Sequence, residues 1–302
     1  MGCKINNTNY ALVTLDGGLS IVNTDNPSSP SETVHINHED YHTFNSKLGI
    51  PDVETFVYNG ITYAFLATNK KNDVAPLEPF PLVMIINLNE ALEQASQNPP
   101  PPYEILIDPY NPSGDVYVGK IDDFGEIKQS HTLTIDGDYL YVATLNDSLP
   151  VWDLGSSPTS PQYKGFITIN PSDAIHEMYV ESTGSASSKV YASALRGGLH
   201  VIDLNLQNMS FTVTTQLYDS DKKYANLVNS TDPLFNFRFT HSAWPNADGS
   251  YIFTTDELAI FTSDNCNVNL NSDINLYLPG PYVLRDAHRH GAFLRTWKTS
   301  QL

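Results

Sequence analysis

Five short segments of this chain repeat one pattern: LSIVNT from Leu19, VMIINL from Val83, LPVWDL from Leu149, LHVIDL from Leu199 and LAIFTS from Leu258. Apolar side chains alternate along each, and a period of two is that of a β-strand with one face turned to a core. The segments begin about 50–65 residues apart, and a unit recurring at that spacing limits the fold more than any single motif does.

A second strand lies just upstream of each segment: YALVTL, ITYAFLAT, YLYVATL, KVYASAL and YIFTTDE, rich in Tyr, Val, Ile and Thr. Connections such as Asp16-Gly17-Gly18, Asn146-Asp147-Ser148 and Arg196-Gly197-Gly198 are short and polar, so each pair reads as a hairpin. Further upstream, VETFVYNG, SHTLTIDGD, IHEMYVEST and THSAWPNADG supply a third strand, and QYKGFITIN and FTVTTQLY a less regular fourth. Helical character is confined to LNEALEQAS at 88–96, stopped by Asn98 and the four prolines 99–102.

Small antiparallel sheets repeated without intervening helices imply an all-β fold, a β-propeller, because each sheet then buries its faces against its neighbours. Five blades are expected, or six if the 88–130 stretch holds another. The hairpin at 10–24 lacks an upstream strand, while AHRHGAFL, from Ala287 to Leu294, lacks a following hairpin. Pairing of the N- and C-terminal strands is therefore expected to close the ring and remove open edges. The expectation is one domain over residues 1–302, with a Pro-rich insertion at about 88–115.

Charge and composition then narrow the function. With 34 acidic against 16 basic residues, the formal net charge is −18, which opposes binding that works by neutralising phosphates, so no nucleic-acid partner is expected. A hydrophobic content of 40% is enough for a core and excludes global disorder. No apolar run is long enough for a transmembrane segment, and MGCKINNTNY lacks the apolar core of a signal peptide. Gly2-Cys3 offers an acylation site as an alternative, although position 6 is Asn. Sequons at Asn6, Asn146, Asn208 and Asn229 fit an extracellular setting. Cys3 and Cys266 permit one bridge at most.

The innermost strand of a propeller blade lines the central channel, so residues opening that strand converge. His131, His176, His241 and His288 open theirs, and Glu54 is read at the corresponding place in VETFVY. Imidazoles and a carboxylate meeting on an axis suit a divalent transition metal ion. The competing reading is that each histidine makes a blade-to-blade hydrogen bond. Turns after the second strand carry Asn69, Asn146 with Asp147, Arg196, and Asp256 with Glu257. Of these, Asn146, Arg196 and Asp256 join Glu54 as ligand-binding candidates. Arg196 suits a carboxylate or sulfate, and Asp256 and Glu257 suit an acid, a base or a cation ligand. Nucleophile-elbow, phosphate-loop and metalloprotease signatures do not occur.

Gly197-Gly198-Leu199-His200-Val201-Ile202-Asp203-Leu204 and Gly17-Gly18-Leu19-Ser20-Ile21-Val22-Asn23 resemble the LVIVD repeat. Thr240-His241-Ser242-Ala243-Trp244-Pro245, with Asp248-Gly249 and Thr255-Asp256-Glu257, resembles a block of the "choice-of-anchor B" group of secreted or surface proteins. The resemblance spans about residues 8–265 and implies an exported β-propeller, often attached to a cell surface, with no common reaction to carry over.

Three functions remain open. The first is a non-enzymatic extracellular or cell-surface binding or scaffold propeller with a protein or glycan partner. The second is a metal-assisted hydrolase or lyase, in which the histidines hold an ion and Asp256 or Glu257 moves protons. The third is a structural subunit of a larger assembly, gripping neighbours through the 98–113 loop and the C-terminal tail.

Overall fold

A computed structural model of the chain describes residues 1–15, 17–38, 48–70, 81–98, 101–112, 114–122, 130–169, 174–184, 186–194, 197–217, 238–258 and 292–298. The alternating segments form strands where their patterns lie. The first sheet holds β1 (Gly2–Ile5), β2 (Thr8–Leu15), β3 (Gly18–Asn23) and β4 (Ser31–His38) in chain order. Two residues join β1 to β2, Asn6 and Asn7, both at positive φ (49° and 67°), the left-handed geometry of a tight hairpin turn and one that Asn tolerates well. A two-stranded pair, β5 (Leu48–Gly49) with β8 (Asn69–Lys70), lies beside the second sheet in sequence.

The second sheet runs β6 (Val53–Tyr58), β7 (Ile61–Ala67), β9 (Val83–Asn87) and β11 (Tyr117–Ile121). Between its last two strands the chain inserts α1 (Leu88–Gln97) and β10 (Tyr103–Ile107). Asn87 caps the helix by accepting from the Glu90 amide at 3.2 Å, and Leu88 and Ala91 are its buried face. Strand β10 pairs in parallel with β4, so the Pro-rich insertion extends the first sheet by a fifth strand.

The third sheet is a four-strand meander of β12 (Thr132–Asp136), β13 (Tyr139–Ala143), β14 (Ser148–Asp153) and β15 (Gln162–Thr168). The fourth repeats it with β16 (Glu177–Gly184), β17 (Ser187–Ser193), β18 (Leu199–Asn205) and β19 (Ser210–Leu217). The fifth holds β20 (Arg238–Pro245), β21 (Tyr251–Leu258) and β22 (Ala292–Lys298). Both segments expected as fourth strands are β15 and β19.

Middle strands are buried on both faces, and this fixes how the sheets stack. Along β7, Ala64 and Leu66 enter the core shared with Leu19, Ile21 and the α1 residues Leu88 and Ala91, while Phe65 and Ala67 enter the next core with Leu140 and Trp152. Tyr141 and Val151 then meet Val190 and Ile202, and Tyr191 and Val201 meet Ala243 and Ile252. Each apolar cluster therefore lies between two consecutive sheets. The first strands stand side by side, β6 against β12, β12 against β16 and β16 against β20.

The expected closure is not what the described residues show. Strand β22 pairs antiparallel with β21, Asp256 facing Phe293 and Thr254 facing Arg295, and does not join the first sheet. The free edge of the β2–β3 hairpin is covered instead by β1, which the sequence reading did not assign as a strand. The two-residue Asn6-Asn7 turn folds β1 straight back onto that edge, so the edge is already paired by the nearest stretch of chain.

Candidate site where the inner strands begin

Strand register shows which residues are equivalent from sheet to sheet. Thr132 faces Ala143, Glu177 faces Ser193 and Ser242 faces Thr255 near the end of the second strand of each sheet. Asp52 takes this place in the second sheet, its carbonyl accepting from the Ala67 amide at 3.0 Å. His131, His176 and His241 thus occupy one shared position, immediately before these residues. In the second sheet that position is Pro51, and Glu54 lies three residues further along. The expected correspondence of Glu54 with the histidines therefore fails. Val53 must stay buried opposite Leu66, and this fixes the register.

The residue following each histidine position ties its sheet to a neighbour. Asp52 accepts from its neighbour's Val53 amide through Oδ1 at 2.8 Å and from Leu133 of the third sheet through Oδ2 at 2.8 Å. Thr132 Oγ1 donates to the carbonyl of His176 at 2.9 Å. Ser242 Oγ donates to Glu177 Oε2, joining the fifth sheet to the fourth. These joins use Asp, Thr, Glu and Ser side chains, and the ring of His176 adds a bond to the backbone of His241.

The imidazoles themselves meet, the first pair edge-on and the second tilted. His131 and His176 have ring centroids 4.2 Å apart, and His176 and His241 4.3 Å. His241 reaches this cluster because it is the extra residue of a β-bulge: Thr240 faces Asp256 and Ser242 faces Thr255, leaving His241 with no opposite number. A bulge re-aims a side chain that regular pleating would point elsewhere.

His176 is the buried member, 8% exposed, and burial, then the neighbouring His131 and His241, lowers its pKa to about 3, keeping it neutral. Its Nδ1 is buried with no hydrogen-bond partner, so the bond to the His241 backbone uses Nε2. His241 and Glu177 are half-open, their side chains 37% and 36% exposed, with Nδ1 and Oε2 3.5 Å apart and Ser242 Oγ 2.8 Å from His241 Nδ1. Ligand-capable atoms of His176, Glu177 and His241 all lie within 4.8 Å of one another.

Two more carboxyls share this region. Burial raises the pKa of Asp52, with the charge of Glu177 adding to it and the two backbone donors opposing it. Asp52 and Glu177 belong to sheets separated by a whole sheet, so the influence of Glu177 on Asp52 agrees with inner strands that stand side by side. Glu54 is pushed up to about 7, by burial first and by Asp52 second.

The other candidates distribute unevenly. Asn146 is exposed on the same rim, its carbonyl accepting from the Ile175 amide at 2.9 Å, one residue before His176. Asn69 lies in β8, opposite Gly49. Asp256 faces Thr240 beside the bulge and Glu257 faces Phe239, with only their backbone described. Arg196, His288 and Cys266 lie outside the described residues, and Cys3 is a free thiol. Asp52, Glu177 and Ser242 were not singled out from sequence. The signal was a polar residue following Pro51 and each of the three histidines.

Sheets packed face to face around side-by-side inner strands define a β-propeller, and a histidine–carboxylate cluster lies where those strands begin. The LVIVD repeat model matches residues 7–37 and 129–168, so the chain carries this repeat in its first and third sheets. The first match contains the Gly17–Asn23 motif, and the second contains the LPVWDL strand. No curated protein matches the sequence. The fold is similar to the periplasmic gluconolactonase PpgL of Pseudomonas aeruginosa, with TM-score 0.52 and 8% identity over 85% of this chain and 64% of that one. It is also similar to the Cps50 (Swd1) β-propeller domain of Myceliophteria thermophila, with TM-score 0.47 and 8% identity over 82% of this chain and 64% of that one. The chain thus spans a little under two thirds of each. Among the described residues no helix is long and apolar enough to cross a membrane.

Proposed function

We propose that the protein is a non-enzymatic binding propeller of five blades in one domain, acting outside the cell or on its surface, and that its ligand face is the rim where the inner strands begin. One observation carries this reading. Three sheets deliver a histidine at the same register position, and the three rings lie in contact, with centroids 4.2 and 4.3 Å apart. Asp52 and Glu177 give this face a negative character, and the net charge of −18 works in the same direction, which favours a cationic partner. The extracellular setting rests on the family resemblance.

The test is binding of a short lysine- and arginine-rich peptide, read by fluorescence polarisation. Glu177→Gln removes one charge at the site and Asp248→Asn removes one on an exposed turn of β20–β21. The site variant is expected to weaken binding by about tenfold and the turn variant by less than about twofold. Equal losses mean that overall charge alone attracts the peptide, and the reading falls.

Metal-assisted hydrolysis or elimination is a second reading, favoured by Glu54. A carboxyl with a pKa of about 7 can both give and take a proton at neutral pH. Turnover of an ester panel that vanishes in Glu54→Gln would move the function to that class.

A further inference from the structure

We propose that His176, Glu177 and His241 form a binding site for a single divalent transition-metal ion of the zinc class. This rests on the reading of the inner-strand rim as the ligand face and names the ion that sits there. Two imidazoles and one carboxylate are a donor set that first-row divalent ions accept, and three protein ligands leave a position open for a further group.

The three ligand atoms already lie within 4.8 Å of one another. Bonds of about 2.1 Å in a tetrahedral arrangement place ligand atoms about 3.4 Å apart, so a contraction of at most about 1.4 Å completes the site. Rotation of Glu177 and His241, both half-open to solvent, supplies that contraction without moving a strand.

Three features of the chain point the same way. His176 carries a buried Nδ1 with no hydrogen-bond partner, a feature that folded proteins rarely leave unexplained. The bulge at His241 spends one residue of β20 on turning that ring toward His176. Ser242 contacts both Glu177 and His241, in the manner of the outer groups that orient metal ligands. His131, whose ring meets that of His176 edge-on at a centroid distance of 4.2 Å, acts as a positioning residue for it.

The experiment is calorimetric titration of the full chain, prepared without a polyhistidine tag and stripped with a chelator, using zinc chloride alone. One ion per chain is expected. Glu177→Gln and His241→Ala should each weaken binding by about 30-fold while the unfolding curve of the ion-free protein stays unchanged. Cobalt(II) substituted at the site should give d–d absorption bands that both variants lose. Should His176→Ala fail to fold, the two half-exposed ligands still decide the matter. A folded wild-type chain that binds zinc no more tightly than about 0.1 mM, or variants that keep wild-type affinity, overturns the proposal. Zinc binding without peptide binding retires the basic-partner reading and leaves this site standing, and the converse result retires the ion alone.

Discussion

Two seams of this propeller are built on one plan and differ in chemistry. Between the second and third sheets, Asp52 spends both carboxylate oxygens on backbone amides, Val53 and Leu133, each at 2.8 Å, and the position before it is an inert proline. Between the fourth and fifth, Glu177 receives a hydroxyl from Ser242 while about a third of its side chain stays open, and the positions just before Glu177 and Ser242 are both histidines. The first carboxylate has both oxygens hydrogen-bonded and fastens the sheets together. The second keeps unused acceptor capacity beside two imidazoles, so it can take a ligand. Equivalent strand positions thus hold a fastening at one seam and a candidate site at the other.

The sharpest way to break this contrast is to remove each carboxylate. Asp52→Ala leaves the Leu133 and Val53 amides without their charged acceptor, and a loss of about 2–3 kcal/mol in urea unfolding is expected. Removing Glu177 frees only a serine hydroxyl that can turn to water, so Glu177→Ala should cost under about 1 kcal/mol. Similar losses at the two positions would make both seams structural.

Glu54 gives a smaller, pH-dependent effect. Its folded pKa of about 7 lies above its ordinary value of 4.5, so between these values the folded state holds a proton that the unfolded state has released. Stability contributed by this group is full below about pH 4.5 and is lost as pH rises through 7. Glu54→Gln cannot ionise, so relative to wild type it should gain about 1–2 kcal/mol between pH 4.5 and 8, less than full linkage because the group is partly solvated. A pH-independent difference in unfolding midpoints would show that Glu54 ionises normally and that the second seam alone carries unusual electrostatics.

Much of this contrast was hidden in the sequence for identifiable reasons. Strand pairs such as ITYAFLAT with VMIINL announce themselves because their buried faces impose alternation, and the convergence of His131, His176 and His241 follows from repeating the unit. Register does not follow so readily. VETFVY placed Glu54 at the histidine position, and only the buried Val53–Leu66 pair shows that Pro51 belongs there. The bulge at His241 leaves no mark in a hydrophobic pattern, and β1 is too short and polar to be seen without its Asn6-Asn7 turn. Asp52, Glu177 and Ser242 became visible only once the strands were aligned by their hydrogen bonds.

The smallest expected effect tests whether the proline seam is closed to ligand chemistry. Pro51→His places an imidazole at the fourth equivalent position, next to an Asp52 whose two oxygens are already engaged. Pro51 is exposed, so stability should change by less than about 0.5 kcal/mol. Zinc affinity, measured as for the wild type, should stay within about threefold, because both oxygens of the nearest carboxylate are already held by backbone amides and His131 stands in the sheet between Pro51 and His176. A tenfold gain in affinity would mean that the second sheet points at the same centre as the fourth and fifth. The two seams would then differ only in the residue each happens to carry, and no longer in what their carboxylates are free to do.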